Sequence, residues 1–127
     1  MSEISSDVIR GYNDTIILFL LLEEPSYGYE ISKRIRDISE SKYLIKETTL
    51  YSAFTRMEKN GYIESFTGES ESGKKRTYYR ITKQGIEYYR SKCEEWNLTQ
   101  EVIGHFIRNF SAENAEKTQN VSEAEGV

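Results

Sequence analysis

The chain has 127 residues, 37% of them apolar and 30% charged, with a net charge of −4. That length suits one domain with an accessory helix, and the composition excludes a wholly disordered chain. The lone cysteine, Cys93, excludes an internal disulfide, and the longest apolar run, Ile16 to Leu22, is far short of the roughly 20 residues a membrane span needs. The acidic, polar N-terminus lacks a signal-peptide pattern, so a soluble cytoplasmic protein is expected, with no membrane partner.

A first helix is expected from about Asp7 to Leu22, with Ser6 or Asp7 as its N-cap. It is apolar nearly all round toward its end, which suits a central core helix. Glu23-Glu24-Pro25 ends it, because the residue before proline disfavours helical backbone. A second helix follows Ser26, a candidate N-cap; Ile31, Ile35 and Ile38 repeat at i, i+4, i+7 and mark a buried face, with Lys33, Arg34 and Arg36 away from it. A third helix is expected from about Lys46 to Asn60, with Gly61 in the C′ position. Its apolar face is Leu50, Ala53, Phe54 and Met57; Thr48, Thr49, Ser52, Thr55, Arg56 and Lys59 fall opposite, and Tyr51 and Glu58 flank the boundary.

Two strands follow, Tyr62 to Thr67 and Arg76 to Thr82, rich in aromatic and β-branched residues, with Tyr78 and Tyr79 on opposite faces. The polar stretch GESESGKK joins them as a hairpin connection. A last long helix starts near Thr82, a candidate N-cap, and reaches about Phe110. Ile86, Tyr89, Cys93, Trp96, Ile103, Phe106 and Phe110 mostly keep a 3–4 spacing along it. Gln100 takes one seam position, where a polar residue fixes register between paired helices. From Ser111 onward apolar side chains nearly vanish, and a disordered acidic tail is expected.

The fold class is therefore mainly α with a small β-hairpin (α+β): a winged helix-turn-helix followed by a long C-terminal helix. Charge is unevenly spread. Between Lys74 and Lys92, seven cations (Lys74, Lys75, Arg76, Arg80, Lys83, Arg90, Lys92) face one acid, Glu87, whereas in the tail Glu113, Glu116, Glu123 and Glu125 face Lys117. The third helix has what a recognition helix needs: one face to hold it on a core and another of short hydroxyls and cations that reach phosphates and base edges. Lys74, Lys75 and Arg76 on the returning end of the wing suit double-stranded DNA, although Glu64, Glu69 and Glu71 lie in the same hairpin and are alternative partners for them. Enzyme chemistry is not expected. His105, the only histidine, has no evident dyad partner, Cys93 follows the apolar seam, and no glycine-rich phosphate loop occurs. One histidine and one cysteine make no metal-ligand set, and no cofactor is implied.

From about Arg10 to Tyr89, with a weaker continuation to Phe110, the chain resembles the PadR family of bacterial transcription regulators. The segments that carry the resemblance are GYNDTIILFLLLEEPSYGYEISKRI, ETTLYSAFTRMEKNGYI and GKKRTYYRITKQG. Pro-x-x-Gly-Tyr, Thr-Leu-Tyr, Met-Glu-x-x-Gly and Tyr-Tyr-x-Ile-Thr-x-x-Gly are each weak alone but specific in this order and spacing. The resemblance implies a homodimer with two winged-helix heads that binds an inverted-repeat operator, usually to repress. It divides the chain into a DNA-binding domain (1–82), a dimerisation helix (83–110) and the tail (111–127).

Carried over by motif, Thr49, Tyr51 and Ser52 match the DNA-facing residues, with Tyr29 and the wing cations Lys74, Lys75 and Arg76 as further contacts. Thr48, Arg56 and Lys59 join them from the exposed helix face. The short C-terminus resembles the compact branch of the family, some members of which sense planar hydrophobic drugs at the dimer interface. Trp96 stands where those members carry a stacking aromatic. Val8, Tyr12 and Thr15 of the first helix and Tyr89 and Cys93 of the last are candidate lining residues for such an effector. Two readings of Trp96 stay open, ligand wall or dimer anchor. An alternative for the whole chain also stays open: a winged helix serving protein–protein interaction without an operator, which the acidic net charge favours.

Overall fold

The structure, a computed structural model, describes residues 3–108. The contacts divide the chain into two compact units on either side of the Glu94–Glu95 bond, and each is described by itself. In chain order the elements are α1 (Ser6–Ile9), α2 (Asn13–Glu23), α3 (Gly28–Ile38), α4 (Glu47–Lys59), β1 (Ile63–Glu69), β2 (Lys75–Ile81) and α5 (Lys83–Gly104). The order is that of a winged helix followed by a C-terminal helix, as the sequence predicts.

The expected first helix is two pieces. Gly11, a poor helix former, lies in the break between α1 and α2, and the Tyr12 N–H turns back to the Ile9 carbonyl at 2.8 Å. The N-cap of α1 is Ser5, not Ser6 or Asp7; its hydroxyl accepts from the Val8 N–H at 3.3 Å. The apolar stretch of α2 is the central helix it was expected to be. Ile17, Leu18, Leu20 and Leu21 are all buried, because α3, α4 and β2 surround it. At its start the buried Asn13 carbonyl accepts a 2.6 Å bond from the Tyr43 hydroxyl, which keeps an interior amide paired.

Ser26 does not cap α3. Tyr27 holds the N-cap position, and Ser26 is fully buried beside β2. Its N–H donates to the Tyr79 carbonyl at 3.1 Å, the Tyr79 N–H donates back at 2.8 Å, and its hydroxyl donates to Glu30 at 2.6 Å. The extended backbone after Pro25 thus makes a one-residue third strand on the hairpin. Ile31 and Ile35 are buried, but Ile38 is 60% exposed, because α3 ends there and the left-handed residues Glu40 and Ser41 turn the chain away.

The apolar face of α4 packs as predicted: Leu50, Ala53, Phe54 and Met57 are buried. The helix ends in a Schellman arrangement. Gly61 has a φ of +81°, its N–H donates to the Glu58 carbonyl at 3.1 Å, and the Tyr62 N–H donates to the Met57 carbonyl at 2.9 Å.

β1 and β2 pair antiparallel from Ile63 opposite Ile81 to Glu69 opposite Lys75, slightly longer toward the tip than the aromatic pattern alone suggests. Tyr79 points inward and stacks on Phe54 at 4.0 Å between centroids, while Tyr78 packs on Phe66 on the other face. Thr82 caps α5 as expected: its hydroxyl accepts from the Gly85 N–H at 3.0 Å and donates to the Gly61 carbonyl at 2.6 Å. In the first unit Tyr89 and Cys93 of α5 are half-buried; in the second unit Trp96, Gln100 and Ile103 are exposed. The helix stops at Gly104 rather than at Phe110, so Phe106 lies past its end; Phe110 and the tail lie outside the described residues. Among the described residues, no helix is long and apolar enough to cross a membrane.

Candidate nucleic-acid interface

The outer face of α4 carries the predicted residues together. Thr48, Ser52, Arg56 and Lys59 are exposed and Thr49 is half-buried, opposite the four core residues. Thr55, on the same face, is occupied locally, because its hydroxyl donates to the Tyr51 carbonyl at 3.0 Å. Glu58, the one acid at the flank, accepts from the Ser65 N–H at 3.2 Å and from the Ser65 hydroxyl at 2.6 Å, so it ties α4 to β1.

Tyr51 is positioned by glycine. A Cβ on Gly28 would lie 2.4 Å from the Tyr51 hydroxyl oxygen, so only glycine at the start of α3 leaves room for that ring. The Tyr51 ring sits edge-on to Phe54 at 5.4 Å, and Phe54 in turn stacks on Tyr79 of the hairpin. The adjacent Tyr29 is 72% exposed. Gly28 and Tyr29 therefore divide the labour: the first admits Tyr51 and the second faces solvent.

The structure separates the three wing cations. Lys74 and Lys75 are exposed and join no ion pair with another described residue, although Lys75 stands opposite Glu69 in the ladder. Arg76 is half-buried, with its guanidinium 4.0 Å above the Tyr27 ring. Of the alternative acidic partners, Glu64 is engaged by Arg80 at 3.2 Å.

Two contributors were not anticipated from sequence. Arg56 donates to Asp14 of α2, and a hollow of about 210 Å³ beside that pair is also lined by Arg10. Reading the first helix as continuous hid Arg10, whose place is set by the break at Gly11, and no helical spacing relates Asp14 to Arg56.

The candidate effector residues divide between the units. In the first, Val8 is exposed, Tyr12, Thr15, Tyr89 and Cys93 are half-buried, and Tyr89 lies 6.4 Å from Phe19. Burial, together with the neighbouring Cys93, pushes the Tyr89 hydroxyl above the usual tyrosine range. Trp96 belongs to the second unit and is 44% exposed there.

The model of the transcriptional regulator PadR-like family matches residues 17–91, from α2 through the first part of α5. The chain belongs to the PadR-like family. A transcriptional regulator of solved structure from Clostridium thermocellum is 65% identical to this PadR-like chain, with a TM-score of 0.76, and the match covers 81% of this chain and 100% of that one. A PadR family transcription regulator from Clostridium difficile is 34% identical, with a TM-score of 0.68, over 76% of this chain and 99% of that one. A Lysinibacillus sphaericus protein described as uncharacterized is 45% identical over 107 residues, 84% of this chain and 98% of its own length. These matches place the PadR-like chain among transcriptional regulators rather than enzymes.

Proposed function

We propose that this PadR-like regulator is a cytoplasmic repressor that binds an inverted-repeat operator as a homodimer. One observation carries the reading. α4 buries Leu50, Ala53, Phe54 and Met57 while presenting Thr48, Thr49, Ser52, Arg56 and Lys59 on its other side, the division a groove-entering helix needs. Tyr51 at the flank of α4 and Tyr29 of α3 are further contacts. Lys74 and Lys75 extend the contact from the wing, and Arg76, held on Tyr27, orients the strand that carries them. The DNA-binding domain is residues 1–82, the dimerisation segment 83–110, whose helix ends at Gly104, and the acidic tail 111–127.

Dimerisation is supported by the apolar exposure of the second unit, where Trp96, Leu98, Val102 and Ile103 all face solvent in the single chain. A planar hydrophobic effector would enter against Trp96, with Val8, Tyr12, Thr15, Tyr89 and Cys93 as its further contacts. Its binding would shift the dimer away from the operator-binding arrangement.

The test is fluorescence anisotropy of the purified protein on DNA from upstream of its own gene, at about 50 and 200 mM salt, with scrambled competitor. Tight, competitor-resistant, salt-sensitive binding is expected. Indifference to duplex DNA at both salts, after random-sequence selection, would leave the interaction-module reading instead. Quenching of Trp96 by planar cationic dyes, accompanied by weaker operator binding, is the expected sign of the effector; quenching with no change in DNA affinity refutes the release step.

A further inference from the structure

The hollow beside α4 gathers hydrogen-bond donors from two arginines and three hydroxyls. Arg10, Asn13, Thr48, Thr49, Ser52 and Arg56 line it, so two guanidiniums and three hydroxyls from two separate parts of the chain converge on a volume of about 210 Å³. Arg56 is half-exposed, and Asp14, whose side chain is only 16% exposed, holds it by one N–H. A guanidinium has five N–H donors in a planar fork, so the carboxylate fixes its orientation and leaves further donors for a second acceptor. Arg10 comes from the break between α1 and α2. It pairs with Asp7 at 3.2 Å between two well-exposed side chains, a contact that constrains it little. No side chain among the described residues caps the start of α4, so the backbone N–H groups of the turn holding Thr48 and Thr49 keep their donor capacity.

We propose that this hollow seats a backbone phosphate of the bound DNA, with Arg10 and Arg56 as its charged donors and Asp14 as the residue that positions Arg56. The assignment rests on the DNA-binding reading above. Charge decides which phosphate it takes. Asp7 and Asp14 offset the two arginines, so the hollow carries no excess of positive charge to gather a free anion from solution. A phosphate delivered by a duplex already docked on α4 needs only oriented donors, and those are present. The seat anchors the strand beside the groove that α4 enters and sets how far the helix reaches in, a positioning contact rather than a base-reading one.

The test uses the full chain, a labelled duplex from upstream of its own gene and a scrambled duplex of equal length. Arg10→Gln should weaken both duplexes by the same factor, roughly tenfold at low salt, and reduce the log–log salt slope by about one. Because Arg10 is exposed, its melting temperature should match the wild type, which separates a lost contact from a lost fold. Asp14→Asn removes a negative charge yet should weaken binding, since Arg56 loses its orientation; tighter binding by this variant overturns the positioning role. A wild-type chain that binds neither duplex overturns the DNA reading itself. A wild-type chain that binds while Arg10→Gln binds equally well overturns the seat and leaves the DNA reading standing. A loss confined to the upstream duplex makes Arg10 a base reader and overturns the phosphate assignment. Inorganic phosphate that competes at constant ionic strength shows a free-anion site and overturns the assignment to the DNA backbone.

Discussion

Replacing Gly85 by alanine should destabilise this protein through one contact whose geometry is explicit. Gly85 lies in the first turn of α5 and is buried; an added Cβ would sit 2.1 Å from the Tyr62 carbonyl oxygen and 2.7 Å from Ile81 Cγ1. Neither neighbour is the loose end of an exposed side chain. The Tyr62 carbonyl already accepts from the Thr82 N–H at 3.0 Å and cannot retreat without breaking that bond. To reach ordinary contact, helix and strand must separate by about 1 Å or more. Overpacking of this kind costs about 1–3 kcal/mol, and disturbing the Thr82 cap adds about 1 kcal/mol. Alanine's better helix propensity returns at most about 1 kcal/mol. The expected net loss is about 2 kcal/mol, a fall in melting temperature of about 8–16 °C for a domain of this size. Thermal unfolding at fixed protein concentration, followed by circular dichroism, measures it. Gly104→Ala is the control, since a Cβ there meets nothing within 4 Å. A Gly85→Ala variant melting within about 2 °C of the wild type would refute the close approach of α5 to the Tyr62 carbonyl and to Ile81 of β2.

Three further outcomes follow from the same structure. Gly28→Ala should change stability by no more than about 1 kcal/mol, because the half-exposed Tyr51 ring can swing aside; duplex binding by anisotropy should nevertheless fall as far as it does in Tyr51→Ala. Thr82→Val should cost about 1–2 kcal/mol in urea unfolding, since it removes the α5 cap and the bond to Gly61 together. Burial raises the hydroxyls of Tyr43 and Tyr79 above the ordinary value of 10.0, and Glu58 adds to the effect at Tyr79. The folded state therefore keeps protons that the unfolded chain releases, so stability is intact below pH 10 and declines as pH rises toward the folded values. Thermal melts across the alkaline range, with tyrosinate absorbance alongside, should show these two residues ionising above the ordinary tyrosine range as stability falls, and ionisation at the ordinary value in the intact fold would contradict the effect of their burial.

Most of the winged helix could be read from periodicity. The two faces of α4 were assigned residue by residue, Gly61 was placed as the helix terminator and Thr82 as the α5 cap, because each depends on local backbone chemistry. What could not be read depended on distant partners. Ser26 has the chemistry of an N-cap, but Tyr79, far along the chain, recruits its backbone into the sheet. The isolated Gly11 is tolerated in many helices, so nothing in the pattern required a break there. Arg76 looked like Lys74 and Lys75 until the fold brought Tyr27 beneath it. The Asp14–Arg56 pair joins residues that no helical spacing relates. The Tyr-Tyr-x-Ile-Thr-x-x-Gly motif, recognised at first only by resemblance, now has a physical content: an inward ring, a cap and a residue with no side chain against a carbonyl.

The bonds made by Thr82 join more than a helix to its cap. Within a few residues they tie the end of α4, both feet of the hairpin and the beginning of α5. The base of the wing is thereby pinned to the helices on either side of it, while its tip is closed only by its own bonds, Ser70 N–H to the Lys74 carbonyl at 2.9 Å and Gly73 N–H to the Ser70 carbonyl at 2.8 Å. Torque applied to the first turns of α5 has no slack segment in which to dissipate. It must rotate the trailing end of α4 or rupture the threonine's bonds. In mechanical terms the first turns of α5 are a crank arm and Thr82 the pin that fixes them to the shaft.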